Sequence, residues 1–313
     1  MTLEYFLLES DDNPGTGTEQ DRRDLPRAGI IKALIFDITA QTNGTSAGTR
    51  TDLTAQVDQI QIGAVESNSV SQIDGEDLDG FNTLMGNHAL IDTNASDNHR
   101  NVFGFTLPLD PFMIGPNMDF NQPYGLPGSV ARRVVFDYAA DVVTDAGLAI
   151  DDKRMAIGAI VRKDGASVGY MTFHRHSFAG ATGGVNTFTD VPTSGPNSKL
   201  LGVFNFEATN AGEVTGDGDH RTTQSIRDQA ITVDRKVRLG PIYTTMMAAI
   251  HGQYETGAIN DEGYSLWNLG MRNQTGQLGV PIVGGIPNNM EIRSSTGAAV
   301  TNRVHAIILN TNI

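Results

Sequence analysis

A chain of 313 residues without cysteine excludes disulfide bridges and thiolate metal sites. Its net charge of −14, from 36 acidic and 22 basic residues, repels phosphate and argues against nucleic-acid binding. The acidic, lysine-poor balance fits either ordinary solubility or adaptation to high salt, and the sequence leaves both open. The sequence has no apolar run long enough to predict a transmembrane helix. The N-terminal MTLEYFLLESDD lacks the basic region of a secretory signal.

The first 26 residues are predicted to form an N-terminal arm. Residues 9–26 are polar and interrupted by glycine and proline, which is typical of an extended segment. The sequence RAGIIKALIFDITA follows at 27–40, where Ile30, Leu34 and Phe36 share one alternating set of positions with Lys32. Because successive side chains of a strand point to opposite faces, this pattern predicts a strand with one buried face.

Short apolar segments continue through the first half of the chain. Residues 75–88 carry apolar side chains at helical spacing and acidic residues in the first turn, where they interact favourably with the helix dipole. The other segments alternate, which predicts strands at 58–65, 70–73, 102–109, 131–139 and 154–162.

The second half repeats this order of elements. The strand at 27–40 returns as SKLLGVFNFEAT at 198–209, where we align Ile31 with Leu201. A helix that begins at Pro241 takes the place of the first helix. Landmarks that recur in one order at a long spacing indicate duplication of a domain. Further strands are predicted at 228–233, 236–239, 264–271, 290–293 and 303–309.

The predicted fold is all-β, with two tandem eight-stranded antiparallel jelly rolls, each with a short helix. The turn-like sequence KDGAS at 163–167 marks their boundary. The chain is therefore predicted to consist of an N-terminal arm at 1–26, a first jelly roll at 27–163 and a second at 164–313.

Two groups of residues have the composition of a metal site. His174 and His176 would share one face of a strand, but no third ligand is evident, so a polar strand face is preferred. Asp217, Asp219 and His220 lie in GDGDH, where closely spaced carboxylates can bind Ca²⁺. The EF-hand pattern is incomplete and a solvated turn is preferred, and whether Asp217 and Asp219 bind Ca²⁺ stays open.

Catalytic motifs are missing from the sequence. The carboxylates of Asp74, Glu76, Asp77 and Asp79 resemble paired catalytic groups, but their place at the start of a predicted helix explains them. No nucleophile elbow, phosphate-binding loop or dinucleotide-binding pattern is present. Trp267 is flanked by leucines and is predicted to lie in the core. We therefore predict a protein that is not an enzyme, with no catalytic, cofactor-binding or metal-binding residues and no cofactor.

Two successive jelly rolls with these motifs resemble the double jelly-roll major capsid proteins of tailless icosahedral viruses that contain an internal membrane and infect bacterial or archaeal hosts. The resemblance extends from about residue 25 to residue 309. The sequences that carry it are LPRAGIIKALIFDITA at 25–40, QIQIGAVESNSVSQIDGEDLDGFNTLM at 59–85, FTLPLDPF at 105–112 and LPGSVARRVVFDYAAD at 126–141.

The resemblance implies a homotrimer whose six jelly rolls form a pseudo-hexagonal tile of the virion shell. The implied partners are neighbouring capsomers, penton proteins and minor capsid proteins, with no nucleic acid. It also implies that the N-terminal arm lies near the viral membrane. The charges of Arg22, Arg23 and Arg27 are balanced by Asp21 and Asp24, which argues against direct contact with anionic lipid.

Two other classes of protein are consistent with a β-rich chain. A secreted carbohydrate-binding or surface-layer β-sandwich protein is the main alternative, but a sugar site needs an aromatic platform and only 7% of the residues are aromatic. A cupin-type enzyme needs a cluster of His and Glu ligands on adjacent strands, which the sequence does not offer. The sequence therefore favours a structural protein of a virion shell.

Overall fold

The computed structural model describes residues 2–12, 20–42, 57–64, 69–85, 90–92, 100–114, 118–138, 150–179, 185–188, 198–207, 226–233, 236–243, 264–271, 280–281, 290–296 and 301–311. The chain forms two compact units, the first of residues 1–82 and 87–170 and the second of residues 83–86 and 171–313. The division into jelly rolls at 27–163 and 164–313 stays a prediction.

The described residues of the first unit form ten strands. They are β1 (Leu3–Asp12), β2 (Gln20–Asp24), β3 (Ile30–Thr42), β4 (Val57–Ala64), β5 (Ser69–Ile73), β6 (Leu90–Asp92), β7 (Arg100–Pro108), β8 (Leu126–Pro127), β9 (Ala131–Tyr138) and β10 (Ile150–Arg162). One antiparallel sheet has the order β1-β10-β3-β7-β6, with β8 paired to β3, and the other has the order β2-β9-β4-β5. The chain passes repeatedly between the two sheets, as in a jelly roll.

The second unit repeats these connections. Its strands are β11 (Tyr170–Ala179), β12 (Val185–Phe188), β13 (Lys199–Glu207), β14 (Ile226–Val233), β15 (Lys236–Tyr243), β16 (Tyr264–Asn268), β17 (Val280–Pro281), β18 (Met290–Thr296) and β19 (Thr301–Asn310). One sheet has the order β11-β19-β13-β16, with β17 paired to β13, and the other has the order β12-β18-β14-β15. Each of these strands has a counterpart at the same place in the first unit, which confirms the predicted pair of jelly rolls.

The central strands β3 and β13 contain the same irregularity. Lys32 is skipped in the pairing of β3 with β10, and Leu201 is skipped in the pairing of β13 with β19. Aligning the two bulges makes Lys32 the counterpart of Leu201. The sequence alignment of Ile31 with Leu201 is therefore wrong by one residue. Both segments are apolar at nearly every position around the bulge, so their alternation does not fix the register.

A buried pair of amides in the second unit identifies the inward face of its central strand, and the aligned bulges extend this assignment to the first unit. Phe36 of β3 is fully buried and stacks on Phe105 of β7, with ring centroids 5.1 Å apart. With the bulges aligned, its counterpart is Asn205, whose Nδ2 donates to Gln229 Oε1 at 2.9 Å and whose Oδ1 accepts from Gln229 Nε2 at 2.7 Å. Gln229 belongs to the opposite sheet, so Phe36 and Asn205 point inward and their neighbours Ile35 and Phe204 point outward.

The N-terminal segment differs from its prediction. The sequence predicts an arm over residues 1–26, but Leu3–Asp12 pairs with β10 and Gln20–Asp24 pairs with β9. Among the described strands, both lie at the ends of their sheets, with a neighbouring strand on one side only. Edge strands commonly carry charged side chains, so their composition resembles that of a loop.

Only one of the two predicted helices is confirmed. Helix α1 (Gly75–Leu84) lies between β5 and β6 and buries Leu78 and Phe81, as their spacing predicts. The helix predicted from Pro241 is wrong at its start, because Pro241 lies in β15 after a cis peptide bond, and the rest of that segment lies outside the described residues. Within the described ranges, no helix is long and apolar enough to cross a bilayer.

Candidate functional site

The predicted histidine pair lies on strand β11 of the second unit. Nε2 of His174 is 2.9 Å from the hydroxyl oxygen of Thr172. Burial, together with a smaller effect of the nearby His305, lowers the pKa of His174 to about 4. Among the described residues, no three His, Asp or Glu side chains converge as metal ligands, so none of these residues provides a third ligand for His174 and His176.

The predicted acidic cluster is more buried than its place at a helix start suggests. Asp74, Asp77 and Asp79 are all buried, whereas a charged first turn usually faces water. The carbonyl oxygen of Asp74 accepts the N–H of Leu78 at 2.9 Å, which places Asp74 at the beginning of α1. Trp267, predicted in the core, is half-buried on β16. The GDGDH sequence with Asp217, Asp219 and His220 lies outside the described residues.

A buried ion pair lies at the bulge of β3. Nζ of Lys32 donates to Oδ2 of Asp110 at 2.7 Å, and both side chains are 0% exposed. The same Nζ donates to the carbonyl oxygens of Gln122 and Tyr124. All three N–H groups of the ammonium are therefore satisfied, as the burial of a charge requires. We call Lys32, Asp110, Gln122 and Tyr124 the Lys32 cluster.

The Lys32 cluster links β3 by hydrogen bonds to the segment that follows β7. Burial lowers the pKa of Lys32 and raises the pKa of Asp110 to about 6, while the attraction between the two charges opposes both shifts. The carbonyl oxygen of Lys32 also accepts the N–H groups of Leu109 and Asp110 at 2.9 and 3.1 Å. In the second unit, Leu201 accepts the N–H of Leu269 at 2.8 Å, so the main-chain link recurs there with leucine in place of lysine.

The outward face of the first unit carries exposed apolar side chains. Tyr5 and Leu7 of β1 are each 70% exposed and lie opposite Ile160 and Gly158 of β10. Ile160 packs with Ala33 and Met113, and Leu3, Ile35 and Phe120 pack against this cluster. We call the surface formed by Tyr5, Leu7, Ile35 and Gly158 the open face, and Ile160 itself is buried.

Comparison with known proteins finds similar structures but no similar sequence. Neither a protein-family profile nor a curated protein sequence matches the chain. Among solved structures, the major capsid protein of Sulfolobus turreted icosahedral virus aligns with 99% of this chain and 97% of its own, at a TM-score of 0.70 and 9% identity. The chain has the double jelly-roll fold.

Two further double jelly-roll structures are similar over nearly their whole length. The capsid of the virus PBCV-1 aligns with 99% of this chain and 95% of its own, at a TM-score of 0.62 and 10% identity. The major capsid protein P2 of bacteriophage PM2 aligns with 100% of this chain and 98% of its own, at a TM-score of 0.60 and 12% identity. Both jelly rolls are therefore included in each comparison.

Sequence reasoning missed both the Lys32 cluster and the open face. The signal for the first was a lysine on an alternating set that is otherwise apolar, which requires a buried partner. The signal for the second was the apolar sequence YFLL at 5–8 inside a segment predicted as an arm. An apolar block in a polar arm indicates either a buried strand or a contact with another molecule.

Proposed function

We propose that this chain is the major capsid protein of a tailless icosahedral virus and that it forms pseudo-hexagonal homotrimeric capsomers of the virion shell. The observation that carries the proposal is the repeated strand order along the whole chain. The same architecture occurs in capsid proteins that align with at least 99% of this chain.

The duplicated fold suits a symmetric tile. Three chains that each contain two similar jelly rolls place six similar units around one axis, although the exact symmetry is threefold. Closed symmetric assemblies repeat the same contacts between identical chains, so one chain can build a whole shell. A duplicated chain therefore gives a nearly hexagonal outline from three subunits.

The chemistry of the described residues also supports a structural role. Lys32 and Asp110 are the best candidates for reactive groups, because burial shifts both pKa values towards the neutral forms. Their side chains are inaccessible to a substrate, and the hydrogen bonds of the Lys32 cluster are made within the protein. The cluster is therefore suited to holding a loop rather than to catalysis.

The proposed shell surrounds an internal membrane, with penton and minor capsid proteins as further partners. Residues 1–26 lie on the membrane side of the shell but do not bind lipid directly, because the charges of Arg22, Arg23 and Arg27 are balanced by neighbouring aspartates. In a flotation assay, the purified chain should stay in the dense fraction when mixed with anionic vesicles. Flotation with the vesicles would contradict this assignment.

The proposed function is tested by the size and shape of the purified protein. Light scattering after size-exclusion chromatography should give three times the subunit mass of 33.5 kDa. Electron microscopy of the same fraction should show particles of hexagonal outline. A monomer that binds members of a glycan array would contradict the proposal and favour the carbohydrate-binding alternative.

A further inference from the structure

The segment that joins β10 to β11 is hydrogen-bonded to the first unit. It consists of residues 163–169, and we call it the linker. The N–H of Val168 donates to the carbonyl oxygen of Pro123 at 2.8 Å. The carbonyl oxygen of Gly169 accepts the N–H of Gly125, also at 2.8 Å. The linker is therefore bonded to the segment that directly precedes β8.

Two cationic side chains of the first unit hold this same segment. Nζ of Lys32 donates to the carbonyl oxygens of Gln122 and Tyr124, which alternate with the residues bonded to the linker. Nη1 of Arg162 donates to the carbonyl oxygens of Asn121 and Gln122 at 2.8 and 3.1 Å. The linker is therefore bonded to a segment that charged groups of β3 and β10 hold in place.

The second unit has none of these charges at the matching positions. With the bulges aligned, three charged residues of the first unit correspond to uncharged residues of the second: Lys32 to Leu201, Asp110 to Gly270 and Arg162 to Leu309. Leu109 and Leu269 fix the second correspondence, because each donates its N–H to the bulge residue of its own unit. The second unit makes this main-chain link without an ion pair there, so the pair serves something that the first unit alone carries. A linker between two units occurs once, and so does the ion pair.

From these observations we infer that the Lys32 cluster is a clamp on the linker, which keeps residues 163–169 ordered as part of the first unit and releases them when it opens. The hydrogen bonds of the ammonium group are charge-assisted and are about twice as strong as neutral ones. Opening the cluster separates two buried charges, which is costly, so the linker stays closed in the folded unit. The inference goes beyond the proposed function, because it concerns the joint between the two jelly rolls and not their assembly.

Hydrogen–deuterium exchange of the full-length chain tests the inference. The informative variant combines Lys32→Leu with Asp110→Gly, which copies the residues of the second unit and removes both buried charges together. The amide of Val168 should exchange faster than in the unmodified chain by about tenfold or more, because the charge-assisted hydrogen bonds that hold its acceptor segment are lost. An unchanged exchange rate at Val168 would overturn the inference.

The matched control is Ile62→Ala. Ile62 is 1% exposed and lies on β4 in the opposite sheet, so this substitution lowers the stability of the first unit without removing any group of the Lys32 cluster. The exchange rate of the Val168 amide should be unchanged in this variant. Equal acceleration in Ile62→Ala and in the double variant would show that the linker follows the stability of the whole unit, and this result would also overturn the inference.

A measurement on the unmodified chain covers the case in which the double variant does not fold. The N–H of Leu109 donates to the carbonyl oxygen of Lys32 at 2.9 Å, so its exchange reports on opening of the bulge. If the bulge and the linker open together, the amides of Leu109 and Val168 should have protection factors within about tenfold of each other. A Val168 amide less protected than this would contradict the clamp. None of these outcomes depends on the mass of the assembly, so failure of the clamp is distinguishable from failure of the proposed homotrimer.

Discussion

Replacing Lys32 with methionine tests how strongly the Lys32 cluster stabilises the first unit. Methionine keeps an unbranched side chain of similar length but removes the three N–H donors. The variant leaves the carboxylate of Asp110 and the carbonyl oxygens of Gln122 and Tyr124 buried without the ammonium group. Breaking a buried ion pair by removing one partner costs about 3–5 kcal/mol of unfolding free energy.

This cost is large enough to measure by thermal unfolding. At about 2–4 °C per kcal/mol for a domain of the size of the first unit, the melting temperature of that unit should fall by roughly 6–20 °C. The control is Lys163→Met, because the Lys163 side chain is 49% exposed and pairs with Glu4 at the surface. Removing an exposed pair of this kind costs no more than about 1 kcal/mol.

The pH dependence provides a second readout. Burial raises the pKa of Asp110 to about 6 from its ordinary 3.8, so its contribution to stability is greatest below pH 3.8 and is lost as the pH rises through 6. Without the attraction of Lys32, the charged carboxylate is costlier still. The loss in Lys32→Met should therefore be larger at pH 8 than at pH 5. A loss below about 1 kcal/mol at pH 8, or equal losses at both pH values, would refute this reasoning.

Three further predictions concern stability. Burial lowers the pKa of His174 to about 4 from 6.5, so the contribution of neutral His174 to stability is present above pH 6.5 and is lost as the pH falls towards 4. His174→Gln should therefore flatten the decline in melting temperature between pH 6.5 and pH 4, and an unchanged decline would contradict this. In urea unfolding, Asn205→Leu should cost about 1–3 kcal/mol of unfolding free energy, because it leaves the amide of Gln229 without that partner. Adding Gln229→Leu should recover most of this loss, whereas additive losses would argue against coupling of the two amides. Gly125→Ala should cost about 1–3 kcal/mol in thermal unfolding, because φ is +132° and the added Cβ would lie 2.6 Å from the carbonyl oxygen of Ile31; an unchanged melting temperature would contradict that strain.

The central strands were predictable because each buries one face against the opposite sheet. Strands β3, β4 and β10 begin and end within four residues of their predicted bounds. The spacing of Leu78 and Phe81 similarly predicted α1, where both side chains are buried. In these elements the local sequence carries the signal, since burial on one face imposes a regular apolar period.

The remaining features depend on contacts that no local pattern records. Strand β2 and the second half of β1 lie at sheet edges and are polar, so their composition conceals the pairing. Asp110 is 78 positions from Lys32, and nothing near either residue identifies the other as its partner. The exposure of Tyr5 and Leu7 also depends on how the whole chain folds, because the same apolar block could equally have been buried.

The bulges at Lys32 and Leu201 allow the history of the chain to be ordered. An extra residue at the same rung of both barrels is simplest to explain as an inheritance, so the irregularity was present in a single-barrel ancestor before its gene was doubled. The residues at that position then diverged to lysine and leucine. The ion pair therefore either arose in the first unit after the doubling, or was already present in the ancestor and was lost from the second unit. In the proposed capsomer, a ring of six barrels needs three duplicated chains, whereas single-barrel chains would need six copies, so covalent joining halves the number of encounters that assembly requires.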